Sequence, residues 1–193
     1  KYIASITKEI IRDGLVYGTE SVTIIEIMGR NAGWLAGAAS LAEGEDCEGP
    51  DLIFLPEVAF DMEHFVEKIK ELQKVKKSIV IAISEGIHLA DGRYVAELGA
   101  DLGKADAFGH KTLTGAATYL AREIGKRLDC KSRAIEFSTL QRCASHIVSR
   151  VDITEAFQVG GAAVKAAMEG ETGQMIILKR VSEDPYICIT DTY

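Results

Sequence analysis

No stretch of this sequence stays apolar for the roughly 18 residues that a membrane span requires. The amino-terminal residues Lys1 to Glu9 also lack the apolar core of a signal peptide. Cysteine is sparse and scattered. Cys47, Cys130, Cys143 and Cys188 form no C-x-x-C pair, which leaves no zinc or dithiol motif and no dense disulfide framework, and reduced thiols are the expectation. Positive charge is short as well, with 22 Lys and Arg against 29 Asp and Glu for a net charge of −7. That balance removes the bulk basic field by which a protein is drawn to nucleic acid or anionic lipid, so neither is expected as a partner. A cytoplasmic protein is expected, and any anion it binds must be held by individually placed arginines. His64, His88, His110 and His146 share no metal-ligand spacing, and the sequence has neither a G-x-S-x-G elbow nor a Cys-His pairing for covalent catalysis. No metal ligand is therefore assigned within the chain. Repeats and low-complexity segments are also absent.

What is present suffices for a packed core, with 193 residues, 47% of them hydrophobic and 26% charged. The chain opens at Lys1, inside an amphipathic helix carrying Ile3, Ile6, Ile10 and Ile11, so a longer parent protein is expected. The β-branched run over 22–27 reads as a strand buried on both faces of a parallel sheet. A turn over 28–33 and an alanine-rich helix over 34–42 follow, with Trp34 filling a gap between helix and sheet. A second unit has a strand over 52–55, the turn Pro56-Glu57, and a helix capped by Asp61 with Phe65, Val66, Ile69 and Leu72 on one face. A third strand covers 78–83, and a long polar segment then runs to about Lys111. Next come a helix over 112–128, a strand over 133–137, a helix over 154–168 stopped by Gly170, and closing strands over 175–178 and 186–189. The alternation predicts an α/β three-layer sandwich with a mostly parallel sheet, as a single domain over 1–193.

In open α/β sheets ligands bind beyond the carboxyl ends of the strands. Those positions here are Met28-Gly29-Arg30, Pro56-Glu57, Ser84-Glu85-Gly86 and Ser138-Thr139-Leu140-Gln141-Arg142. Arg30 stands just before a helix, where dipole and guanidinium both favour an anion such as phosphate. Equally, Gly29 could serve only a tight turn, with Arg30 solvated beside it. Arg133 and Arg142 bracket a strand and its following turn, and their planar forks match phosphate oxygens, although surface ion pairing is the commoner use of an arginine. Glu85 could accept hydrogen bonds from sugar hydroxyls or pair with one of those arginines. The residues alone thus suggest a sugar-phosphate site without fixing it.

The run from Ile24 to Trp34 closely resembles the V-E-V-M-G-R segment of the 6-phosphofructokinase family. Pro56-Glu57 before a helix, Ala82-Ile83-Ser84-Glu85-Gly86, Asp106-Ala107-Phe108-Gly109-His110, and Arg133 followed nine residues later by Arg142 resemble further family blocks in the same order. The resemblance implies a substrate domain that binds fructose 6-phosphate, in an enzyme that moves a phosphoryl group to the sugar O1 and gives fructose 1,6-bisphosphate in glycolysis. It implies that Met28, Gly29 and Arg30 contact the sugar and the transferred phosphoryl, with Arg30 catalytic. Glu85 would fix sugar hydroxyls, and Arg142 would bind the sugar phosphate. Arg133 would reach the phosphate in a neighbouring subunit, which implies a homo-oligomer. Ser21 stands where many members carry an arginine. Ser138-Thr139 replaces a Gly-His, so Thr139 offers a hydroxyl in place of positive charge. The family's glycine-rich donor site and its T-x-D-x-D aspartates have no counterpart in the sequence. Magnesium and the donor, pyrophosphate or ATP, are therefore expected to engage mainly a separate donor domain, and the chain is expected to be inactive alone. Residues 151–193 would pack on that donor domain. The M-G-R-N-A-G-W and S-T-L-Q-R versions resemble the pyrophosphate-using branch. A non-catalytic sugar-phosphate sensor or an assembly module with the same fold is the competing reading.

Overall fold

The computed structural model describes residues 1–99 and 115–193. Where a single domain over 1–193 is expected from sequence, internal contacts divide the chain into two compact units, Lys1–Ala144 and Ser145–Tyr193. In the first unit, helix α1 (Tyr2–Val16) leads into strand β1 (Ser21–Ile27) and the short helix α2 (Trp34–Gly37). Strand β2 (Leu52–Phe54), helix α3 (Met62–Gln73), strand β3 (Ser78–Ser84), helix α4 (Ala116–Leu128), strand β4 (Lys131–Glu136) and helix α5 (Leu140–Cys143) complete it. The four strands pair in the order β2-β3-β1-β4, all parallel.

Hydrophobic alternation dictates the layers. Val22 and Ile24 of β1, with Ile79, Ile81 and Ile83 of β3, pack with Phe65 and Ile69 of α3 and with Leu120 and Ile124 of α4. The intervening residues Ile25, Ile27, Val80 and Ala82 face Ile3 and Ile11 of α1 and the small side chains Ala36, Ala39 and Ala42. Every residue of β1 and β3 past its first is buried, which is why both runs are almost unbroken apolar sequence. Helices on both faces of a parallel sheet make the α/β three-layer architecture that the alternation predicts. Asp61 caps α3 as expected, accepting the His64 N–H at 2.7 Å.

Several local expectations are corrected. The 34–42 helix ends at Gly37 and continues as a 3₁₀ turn, Ala38–Ala42. There the Ser40 hydroxyl donates back to the Gly37 carbonyl at 2.8 Å, offering the backbone an alternative to the α ladder. Trp34 fills no gap. It is 86% exposed, because the face of this segment that meets the sheet is taken by its alanines. Within the described part of the long polar segment, a 3₁₀ turn forms at Val95–Leu98. The Asp106–His110 block and the expected helix start at 112 lie outside the described residues. The four cysteines are free, and no described helix is long and apolar enough to cross a membrane.

The second unit holds helix α6 (Arg150–Met168), capped by Ser149, and a hairpin of β5 (Ile176–Glu183) and β6 (Tyr186–Thr192). Those closing strands pair antiparallel with each other and form a separate two-stranded sheet. No residue of α6 is buried, and its Phe157 is 83% exposed.

Phe65 is fully buried and meets Phe54 edge-on at 5.3 Å between centroids. Phe65→Ala is expected to cost about 3–5 kcal/mol, the range for deleting a buried aromatic ring. Urea unfolding followed by far-ultraviolet circular dichroism checks this.

Candidate functional site at the carboxyl edge of the sheet

Parallel register aligns the ends of three strands. Ile27 of β1 pairs with Ser84 of β3, and Glu26 pairs with Glu136 of β4, so the chain leaves all three strands at one level. Residues 28–30, 84–86 and 138–142 therefore converge at one edge, although they are far apart in sequence. The 28–30 loop is held there by side chains from the segments that follow both neighbouring strands. The Met28 N–H donates to Gln141 Oε1 at 3.0 Å, and the Gly29 N–H donates to Glu85 Oε1 at 3.4 Å. Buried Ser84 donates its hydroxyl to the Gly29 carbonyl at 2.7 Å and accepts the Gly86 N–H at 3.1 Å. At the end of the loop the Gly33 N–H donates to Glu57 Oε1 at 2.7 Å.

Two glycines are required by this geometry. Gly29 has φ +147°, and a Cβ there would meet the Ala32 carbonyl oxygen at 2.7 Å. Gly86 lies so close to the Arg30 backbone that a Cβ would fall 1.9 Å from the Arg30 carbonyl oxygen. Hence the Arg30 main chain rests directly on the turn that follows β3. Past β4, Ser138 adopts φ +43°, a left-handed conformation uncommon for a side-chain-bearing residue. It turns the chain into α5, on which Gln141 reaches Met28 and Arg142 stands exposed. Thr139 occupies the N-cap of α5 without a capping bond from its hydroxyl and is exposed.

Of the residues singled out from sequence, Met28, Gly29, Arg30, Glu85, Thr139 and Arg142 thus belong to segments of this edge. Arg133 does not. It pairs in register with Thr23, which lies five residues before Met28, or roughly 16 Å back along the strand at about 3.3 Å per residue. Its guanidinium faces α1 and forms a 3.5 Å ion pair with Asp13. Sequence reasoning gave no role to Gln141, Ser84 or Glu57, because a side chain that holds a backbone N–H leaves no spacing signature.

The same edge carries a buried acid. Glu26 is 4% exposed and accepts the N–H groups of Ala117 at 2.8 Å and Gly115 at 3.3 Å, at the start of α4. Burial pushes its pKa up from 4.5 to about 7, against the lowering effect of the Ala117 and Gly115 N–H groups, and the charges of Glu136 and Glu85 add to the rise. Elsewhere, a hollow of about 830 Å³ opens at the amino edge, by Gly18, Lys77 and Ser78. Of its charged residues, Asp46 pairs with Lys8 and Arg12, and Glu48 and Asp51 pair with Lys76. That region reads as a solvated charged face. Among the described residues no group of three His, Cys, Asp or Glu side chains is placed to hold a metal ion such as magnesium.

The fold is that of a doubly wound α/β domain, the class in which ligands bind beyond the strand ends, and here the segments bearing Arg30, Glu85 and Arg142 meet at that edge around a braced glycine loop. The family profile described as Phosphofructokinase matches residues 5–167, and the chain belongs to that family. It is 37% identical over 188 residues to the pyrophosphate–fructose 6-phosphate 1-phosphotransferase of Halomonas elongata, covering 96% of this chain and 44% of that protein. It is 34% identical over 163 residues to the ATP-dependent 6-phosphofructokinase 2 of Streptomyces coelicolor, covering 83% of this chain and 44% of that protein. The crystal structure of the pyrophosphate-dependent phosphofructokinase of Marinobacter aquaeolei superposes with a TM-score of 0.75 at 30% identity, covering 99% of this chain and 44% of the other. The chain therefore spans less than half the length of these relatives.

Gly86→Ala is expected to push the Arg30 backbone off the β3 turn and to cost about 1–3 kcal/mol, as overpacking does. Amide chemical-shift changes should centre on residues 28–33. Changes confined to the 86–88 turn would show that the contact bears no weight.

Proposed function

We propose that this chain is the fructose 6-phosphate-holding part of a phosphofructokinase, in which pyrophosphate supplies the phosphoryl group passed to the sugar O1. The observation that carries this reading is the braced 28–30 loop, with Glu85 and Gln141 each accepting one of its N–H groups beside the two arginine-bearing segments. A loop held by its neighbours keeps the adjacent arginine-bearing segments in place before a ligand arrives, and phosphoryl transfer depends on positioning and on cations that stabilise spread negative charge. In this arrangement Arg30 faces the transferred phosphoryl and is the catalytic group. Met28 and Gly29 border the sugar, and Glu85 exchanges its long bond to Gly29 for sugar hydroxyls. Arg142 holds the 6-phosphate as a charge-assisted fork, with Thr139 adding a hydroxyl.

Arg133 serves a neighbouring copy in this reading. Its place far down β4 supports that role, since it stands away from its own chain's loop. The protein then works as a homo-oligomer. The donor is pyrophosphate by likeness to the Halomonas enzyme, and a separate donor domain provides its site together with magnesium. Residues 151–193 pack on that domain, which accounts for an α6 without a buried residue. Alone, the chain binds sugar phosphate and turns nothing over.

Calorimetric titration of the chain with fructose 6-phosphate tests the reading, with fructose and inorganic phosphate as controls. Saturable binding of the sugar phosphate alone is expected. Arg142→Ala should weaken it at least tenfold, about 1.4 kcal/mol or more, as removal of a charged hydrogen-bond partner does. Binding that ignores Arg142, or no binding at all, contradicts the assignment. With the donor domain present, turnover is expected with pyrophosphate and not with ATP, and the reverse would overturn the choice of donor.

A further inference from the structure

We propose that Glu26 is the proton-accepting group of the strand-edge site, so that an anion bound beyond β1 and β3 drives a proton onto its carboxylate and sugar-phosphate binding is accompanied by proton uptake. The inference rests on the sugar-phosphate reading above and adds to it a residue that touches no substrate.

Its basis is the crowding of negative charge where an anion has to sit. Glu26 and Glu136 are direct register partners on β1 and β4, and Glu85 follows the end of β3 one position beyond Ser84, the partner of Ile27. The charged groups that act on Glu26 are carboxylates, Glu136 on β4 and Glu85 in the turn after β3. From α4 it meets backbone N–H groups, and that helix has no acidic residue in its first turn. On the β3 side its register partner is the apolar Ile83. Among the described residues no cationic side chain pairs with Glu26. Glu85 and Glu136 are already engaged as acceptors, from the Gly29 N–H and the Thr118 hydroxyl respectively.

Of the three acids, Glu26 is the one that can gain a proton cheaply. It is buried, so water does little to stabilise its charge, and its proton affinity already lies near neutrality. A protonated carboxyl keeps an acceptor oxygen for Ala117, the shorter of its two bonds, and gives up only the longer one from Gly115. The α4 start thus stays attached while the edge loses a negative charge. Because Glu26 itself is buried and little screened by water, Coulomb coupling makes the bound anion and the proton favour one another.

The sign follows from linkage. An anion raises the proton affinity of Glu26, so each ligand bound near pH 7 takes up part of a proton, and the affinity contributed by Glu26 falls as pH rises through the free and bound pKa values. If the ligand raises that affinity tenfold from a starting value of about 7, uptake at pH 7 is about 0.4 proton per ligand. The affinity of the unaltered chain should then fall up to about tenfold more than that of Glu26→Gln between about pH 6 and 9.

Titration of the chain with fructose 6-phosphate at pH 7, in buffers of differing ionisation enthalpy, counts the protons. The Glu26→Gln variant subtracts those carried by the ligand's own phosphate. Uptake present in the unaltered chain and lost in Glu26→Gln is the expected result. Equal proton counts in the two proteins overturn the inference and leave the sugar-phosphate reading intact, whereas the absence of binding in the unaltered chain removes both. Should Glu26→Gln not fold, the unaltered chain carries the test through the amide resonances of Gly115 and Ala117. These should titrate with a midpoint near 7 that moves upward with saturating fructose 6-phosphate, and a midpoint that the ligand does not move overturns the proposal.

Discussion

Parallel pairing of β1 with β3 and β4 is the constraint from which the rest of the first unit follows. Because Ile27 pairs with Ser84 and Glu26 with Glu136, three segments distant in the chain leave the sheet at one height. That registry is enforced by burial on both sheet faces. A shift of one residue would exchange the sets facing the two helical layers, placing Ile81 and Ile83 toward α1 and Val80 and Ala82 toward α3 and α4. The core thus sets the height of the strands, and the height of the strands sets which polar groups meet beyond them. The bonds from Met28 to Gln141 and from Gly29 to Glu85 are consequences of this alignment.

Electrostatics at the edge run in two directions. The arginine-bearing segments suit an anion, while Glu26, Glu85 and Glu136 oppose one. An acid buried to 4% exposure beneath that edge is costly unless something compensates. Two N–H groups at the start of α4 give part of the compensation, and the rise of the Glu26 pKa to about 7 reflects what burial leaves uncompensated. Two of the groups that orient the loop, Gln141 and Ser84, are neutral, so these braces do not change with the protonation of Glu26.

Much of the fold was legible in the sequence, for a physical reason. Strands buried on both faces must be apolar along their whole length, as 22–27 and 78–83 are, and a helix start needs a short polar acceptor, as Asp61 supplies. The convergence of Met28, Glu85 and Arg142 was legible through the rule that ligands lie beyond strand ends and through family resemblance. Arg133 and Arg142, close in sequence, proved distant because an extended strand separates residues quickly along its axis. Trp34 was misread because large aromatics are usually buried, and nothing local shows that the alanines behind it claim the sheet. Gln141, the strained Ser138 and the close pass of Gly86 under Arg30 depend on tertiary geometry that no spacing encodes. Glu26 did leave a trace, as a lone carboxylate inside the run Ile24-Ile25-Glu26-Ile27.

The claim at the centre of this account is that the level strand ends form one binding edge. Mapping the backbone amide resonances of the chain during titration with fructose 6-phosphate tests it most directly. Saturable shifts at Met28, Gly29, Glu85 and Arg142, absent with fructose, are the predicted result. Shifts gathered instead at the amino-edge hollow around Gly18, Lys77 and Ser78, or spread without saturation, would contradict it.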